Sequence, residues 1–91
     1  MTLIEKAADR LNIKPEELIK KSLETYLKQR SSQIESEIFL ISKKYGIKDI
    51  LEMDEKVSKG KISEDVAYDD YFLLDNLQAE LEKINNFRRE I

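Results

Sequence analysis

The stretch Pro15–Gly46, PEELIKKSLETYLKQRSSQIESEIFLISKKYG, decides the fold. A proline opens it, a glycine closes it, and neither residue occurs in between. Within it Ile19, Leu23, Tyr26, Arg30, Ile34, Ile38, Ile41 and Tyr45 recur in steps of three and four. The steps average about 3.7 residues, close to the period of an α-helix. The spacing predicts one helix of about 30 residues, roughly 45 Å long. Its apolar members, Ile19, Leu23, Tyr26, Ile34, Ile38, Ile41 and Tyr45, form a stripe expected to serve as core or as a dimer seam. A bend, if there is one, belongs at the polar waist KQRSSQ, Lys28–Gln33.

Upstream, Thr2 and Glu5 have capping-box spacing and open a first helix. Leu3, Ala7 and Leu11 share one face, with Ile4 and Ala8 beside them, and Asn12 suits a left-handed stop. Pro15 suits the first position of the long helix. Glu16 and Glu17 meet the positive end of its dipole. Ile13 and Leu18 are spaced as a hydrophobic staple. Downstream, Gly46 ends the long helix. Ile47, Ile50, Leu51 and Val57 mark a short third helix that stops at Gly60, and Ser63 is a good cap for a fourth. From about Asp70 this last helix carries Leu74, Leu77, Leu81 and Ile84, continued by Arg88 and Ile91. The expected architecture is a single all-α domain over residues 1–91. A helical hairpin with one long central helix fills 1–45, and an acidic helical region over 46–91 supplies a short helix and a C-terminal helix folding back. A bundle and an elongated helical dimer both fit this pattern.

Composition narrows the chemistry. The 91 residues are 38% charged and 8% aromatic, with two glycines, one proline, no Cys and no His. Few turn residues suit long helices rather than a sheet. Without Cys or His there are no disulfides, thiolate–zinc sites, cysteine nucleophiles or imidazole acid–base chemistry. No nucleotide-binding glycine motif or nucleophile elbow occurs. EDVAYDDYFLLD (Glu64–Asp75) lacks the central glycine of a calcium loop. No catalytic residue, metal ligand or cofactor is therefore expected. The N-terminus does not read as a signal peptide, and the longest apolar run, IFLI (Ile38–Ile41), is too short for a bilayer. A cytoplasmic protein is expected. Abundant Lys, Glu and Ile suit a hot environment, such as that of a thermophilic archaeon.

Charge is unevenly spread. Residues 1–45 carry nine Lys/Arg against seven Asp/Glu (+2), and residues 46–91 seven against twelve (−5). Ile62–Glu82 has seven acids and no base. Inside that run lies AYDDYFLLDNL (Ala67–Leu77), with three of the seven aromatics of the chain. Two readings stand. The acids form a solvated helix face and the aromatics enter the core; or Tyr68, Asp69, Asp70, Tyr71, Phe72 and Asp75 form a surface for a basic protein partner.

Two resemblances bear on the choice. Residues 1–30, MTLIEKAADRLNIKPEELIKKSLETYLKQR, resemble the helical half of ribbon-helix-helix antitoxins, with EELIKKSLETYL (16–27) standing at the second helix of that family. The basic β-strand with which the family reads DNA has no counterpart ahead of the first helix, so nucleic acid is not the expected partner. Glu35–Ile84 combines KKYG (43–46), a short helix ending in glycine and the acidic tail from Asp70-Tyr71-Phe72. It is similar to small helical prokaryotic proteins encoded beside toxin-like nucleases of the TumE type. The resemblance implies a non-enzymatic, antitoxin-like protein that docks on a basic toxin-like partner, with or without homodimerisation. Two other functions fit the residues: a nucleic-acid-binding regulator using Lys20, Lys21, Lys28 and Arg30, and a purely structural helical oligomeriser.

Overall fold

The computed structural model describes residues 1–91, which form α1 (Leu3–Leu11), α2 (Pro15–Tyr45), α3 (Ile50–Ser58) and α4 (Glu64–Arg88) and no strand. The chain is all-α, with the long helix unbroken through the Lys28–Gln33 waist.

Local chemistry places the boundaries. The Thr2 hydroxyl accepts from the Glu5 N–H (3.3 Å), and the Glu5 carboxylate accepts from the Thr2 N–H (3.2 Å), closing the capping box. Asn12 (φ 56°) and Gly46 (φ 64°) end α1 and α2 in the left-handed conformation that Asn and Gly tolerate best. The Asp49 carboxylate caps α3 by accepting from the Glu52 N–H (2.9 Å). The last helix starts at Glu64 rather than near Asp70. Its leading turns hide only Ala67, too small to register in a count of leucines. Ser63 occupies the cap position, but its hydroxyl makes no capping bond.

α2 and α4 run antiparallel. Arg30 pairs with Glu80 and Lys44 with Asp70, so numbers rise along one helix as they fall along the other. The core consists of Ile34 and Ile41 of α2 with Leu74 and Leu77 of α4, which lie between these pairs, and Ile47 of the connection, Met53 of α3 and Ala67 of α4 beyond the Lys44–Asp70 pair. Ile38 and Tyr45 pack at its edge. Two bonds fasten α3 to its neighbours: the Ile50 N–H donates to Gln78 Oε1 (3.0 Å), and the Lys56 ammonium donates to the Gly46 carbonyl (2.8 Å). The change of charge at residues 45/46 is thus not a boundary of packing, because the second half of α2 shares its core with α3 and α4.

Three of the seven residues of the expected stripe lie elsewhere. Ile34, Ile38, Ile41 and Tyr45 face the core, whereas Ile19 and Tyr26 are exposed and Leu23 is half-buried. Ile19 lies beyond the reach of α4, whose end meets Glu24–Lys28, and for Tyr26 the cause is angular drift: a spacing of 3.7 on a helix of 3.6 residues per turn rotates the stripe by about 80° between residues 19 and 45. Leu27 and Ser31 keep the straight course and are buried instead. Ser31 is small enough for close approach, but its buried hydroxyl has no hydrogen-bond partner. The IFLI run divides, with Ile38 and Ile41 inward and Phe39 and Leu40 outward. On α1 the buried residue is Ala8, while Leu3 and Leu11 face solvent, because only the Ala8 side of α1 is turned toward a neighbouring helix.

Adjacent leucines of α4 provide a test. Leu74 is fully buried and Leu73 is roughly half-exposed. Leu74→Ala is expected to cost about 3 kcal/mol in urea unfolding, and Leu73→Ala roughly 0.5 kcal/mol.

Candidate functional site

Ala67–Leu77 lies wholly within α4, so its residues step around the helix by about 100° each. Ala67, Leu74 and Leu77 point into the core and Tyr71 lies at its margin. Tyr68 (58% exposed) and Phe72 (48%) are on the outer side. Phe72 sets its ring edge-on to both neighbours, with centroids 5.0 Å from Tyr68 and 5.4 Å from Tyr71. Such edge contacts hold aromatic rings in place.

The three rings line one side of a groove of about 230 Å³. Val57 and Asp54 of α3 face them, and Ala67 and Glu64 of α4 complete the lining. The groove thus has an apolar floor and two carboxylates. The negative charge of Asp54, then burial, then Asp75 push the Tyr71 phenol above its ordinary pKa. The rings are legible in the sequence, but Asp54, which shares a helix face with Val57 three residues on, is not, because only the packing of α3 against α4 brings it to the rings.

The six expected contact residues separate into groups. Tyr68, Tyr71 and Phe72 come together at the groove, and Asp75 lies close enough to influence Tyr71. Asp69 is exposed outside the groove. Asp70 turns away, accepting from the Lys44 ammonium (2.8 Å) and the Tyr45 hydroxyl (2.6 Å). Its role is internal: these bonds engage the carboxylate that the sequence reading assigned to a partner. Lys44 and then Tyr45 hold the Asp70 carboxyl below its usual range. Burial and then Asp70 raise the Tyr45 phenol, and Asp70 raises Lys44.

The basic residues considered for nucleic acid are also partly engaged. Arg30 forms a two-point pair with Glu80 (2.6 and 3.3 Å), and Lys21 pairs with Glu17 (3.0 Å). No three carboxylates converge to hold a metal ion. No helix is long and apolar enough to cross a membrane.

The family model described as the Uncharacterized protein MJ0235 family matches residues 1–91. The chain belongs to the MJ0235 family. No curated protein and no solved structure matches it. The MJ0235-family chain offers a preformed concave feature in which three clustered aromatics meet two carboxylates, the α3–α4 groove.

The Asp70 clamp has a calculable pH dependence. A lowered folded pKa contributes stability above the unfolded carboxyl value of about 3.9 and loses it as pH falls through the folded value. Raised Tyr45 and Lys44 values contribute below about 10 and lose it as pH rises through their folded values. Asp70→Asn is expected to lower stability by about 1 kcal/mol at pH 7, because exposure of Lys44 weakens the ion pair. In urea unfolding across pH, the gap between variant and wild type should hold near neutrality and shrink below about pH 4.

Proposed function

We propose that this chain is a non-enzymatic interaction protein whose α3–α4 groove docks a basic, amphipathic segment of a protein partner. One observation carries the reading: Tyr68 and Phe72 stand exposed beside a groove bordered by Asp54 and Glu64, in a 21-residue run without a single base. Tyr and Phe are favoured in interface cores because they bury much area at a low cost in side-chain entropy. Carboxylates around them attract Lys and Arg and disfavour acidic competitors. In this mechanism the apolar side of the incoming segment covers Tyr68 and Phe72. Its cations meet Asp54, Glu64 and Asp75, while Asp70 stays clamped to α2.

The resemblance of the C-terminal half to proteins encoded beside nucleases supports an antitoxin-like form of the reading, acting in the cytoplasm. The partner is then a basic toxin-like protein, and the groove is where it is held.

The test uses an amphipathic helical peptide with lysines on its polar face, titrated into isotopically labelled protein. Amide shifts are expected to concentrate at Val57 and Tyr68–Phe72, with affinity falling as salt rises. Tyr68→Ala with Phe72→Ala should weaken binding at least about ten-fold while preserving helicity, since both side chains are half-exposed. Equal affinity in the double variant, or equal binding of a glutamate version of the peptide, rejects the groove. Co-expression with the product of the adjacent gene examines the antitoxin-like form separately.

A further inference from the structure

α4 does not cover the whole of α2. Its last residue, Arg88, and the terminal Ile91 line a shallow cleft with Glu24, Thr25 and Lys28. The first turns of α2 therefore project past the end of α4 and carry α1 with them, giving a molecule 59 Å long and 21 by 18 Å across. This arm has almost no interior. Ala8 and, at its base, Leu27 are buried and Ile4, Ala7, Ile13, Leu18 and Leu23 half-buried, while Leu3 (85%), Leu11 (62%), Ile19 (50%) and Tyr26 (62%) are exposed.

Two helices side by side form a single layer, and a core needs a second layer. The missing layer is visible as surface. A compact monomer of 10.7 kDa exposes about 5,500 Å². This chain exposes 7109 Å². The excess, which belongs to the whole elongated chain and not to the arm alone, exceeds the ~800 Å² that each partner contributes to an ordinary stable interface.

Charge identifies what fits the arm. The Ile62–Glu82 run is purely acidic and repels a copy of itself. Residues 1–28 instead carry six Lys/Arg and five Asp/Glu, interspersed along both helices. A near-neutral surface of mixed sign does not repel a two-fold copy, and the rotation can bring cations of one chain to anions of the other. Two stacked two-helix arms make a four-helix bundle, the simplest arrangement that gives each a core.

We infer that the protein is a homodimer whose α1–α2 arms stack on one another through Leu3, Leu11, Ile19 and Tyr26. The α3–α4 groove lies at the opposite end of the long axis, beside the Tyr45 end of α2. Dimerisation through the arms leaves both grooves open and separates them. The inference does not depend on what the grooves bind.

Sedimentation equilibrium of the full chain, from micromolar to hundreds of micromolar, tests it. Wild type is expected at twice 10.7 kDa. Leu11→Glu with Ile19→Glu is expected to raise the dissociation constant at least about a hundred-fold. Both side chains are exposed in the single chain, so helicity by circular dichroism should persist. Leu3→Glu with Tyr26→Glu, on the other ends of the two helical faces, should act alike. Tyr68→Ala with Phe72→Ala should leave the mass unchanged. The inference is overturned by a wild-type mass of 10.7 kDa throughout, by folded arm variants that dimerise as tightly as wild type, or by dissociation of the groove variant.

Discussion

Everything in this molecule depends on one apolar seam, the antiparallel contact of the second half of α2 with α4. Ile34 and Ile41 meet Leu74, Leu77 and Ala67 there, and Met53 and Ile47 close the cluster from the α3 side. Only ten of 91 residues are buried, so the molecule has no second core to fall back on. A seam this short stabilises a body and not the whole length of α2. The geometry of the remaining surfaces depends on where the seam stops.

The polar contacts fix how the seam is set. Hydrophobic burial alone allows a helix to roll or slide by a turn. Arg30–Glu80 and the Lys44–Asp70–Tyr45 cluster pin α4 to α2 at two points along its middle. Pinning Asp70 inward also fixes the rotation of α4, and rotation decides what faces water. With about 100° per residue, an inward Asp70 and Leu74 require an outward Phe72 and turn Tyr68 away from α2. The groove is thus a consequence of the clamp: one aspartate of the acidic run is used internally so that the aromatics beside it remain outside.

The helices were legible in the sequence because their ends are chemical. The Thr2–Glu5 capping box, the left-handed Asn12 and Gly46, and the proline at the head of α2 are local signals that act at the residues where they stand. The faces were less legible, because a face exists only relative to a neighbour. Ile19 and Tyr26 continue the spacing of Ile34 and Ile41, yet the seam ends short of Ile19 and the drift of that spacing carries Tyr26 off it. Leu27 and Ser31 replace them, and a buried serine has no apolar signature. Met53, flanked by Glu52 and Asp54, continues the three–four spacing of Ile50 and Val57 and is the buried member of α3, whereas Leu51 beside Ile50 breaks that spacing and is exposed. The aromatic cluster at the groove was legible as composition, since Tyr68, Tyr71 and Phe72 crowd five positions. Asp54 was not, because it joins them across a loop.

The central claim is that a single seam sustains the fold and leaves the α1–α2 arm to be completed by a second copy. Hydrogen exchange at a series of protein concentrations tests it most directly. Amides at Ile34–Tyr45 and Ala67–Leu81 are expected to exchange slowest and at rates independent of concentration, because opening the seam is opening the fold. Amides of α1 and the first turns of α2 should exchange faster in dilute solution and slow as concentration rises. Arm amides as protected as the seam at every dilution would contradict the claim, as would a seam that exchanges before the arm.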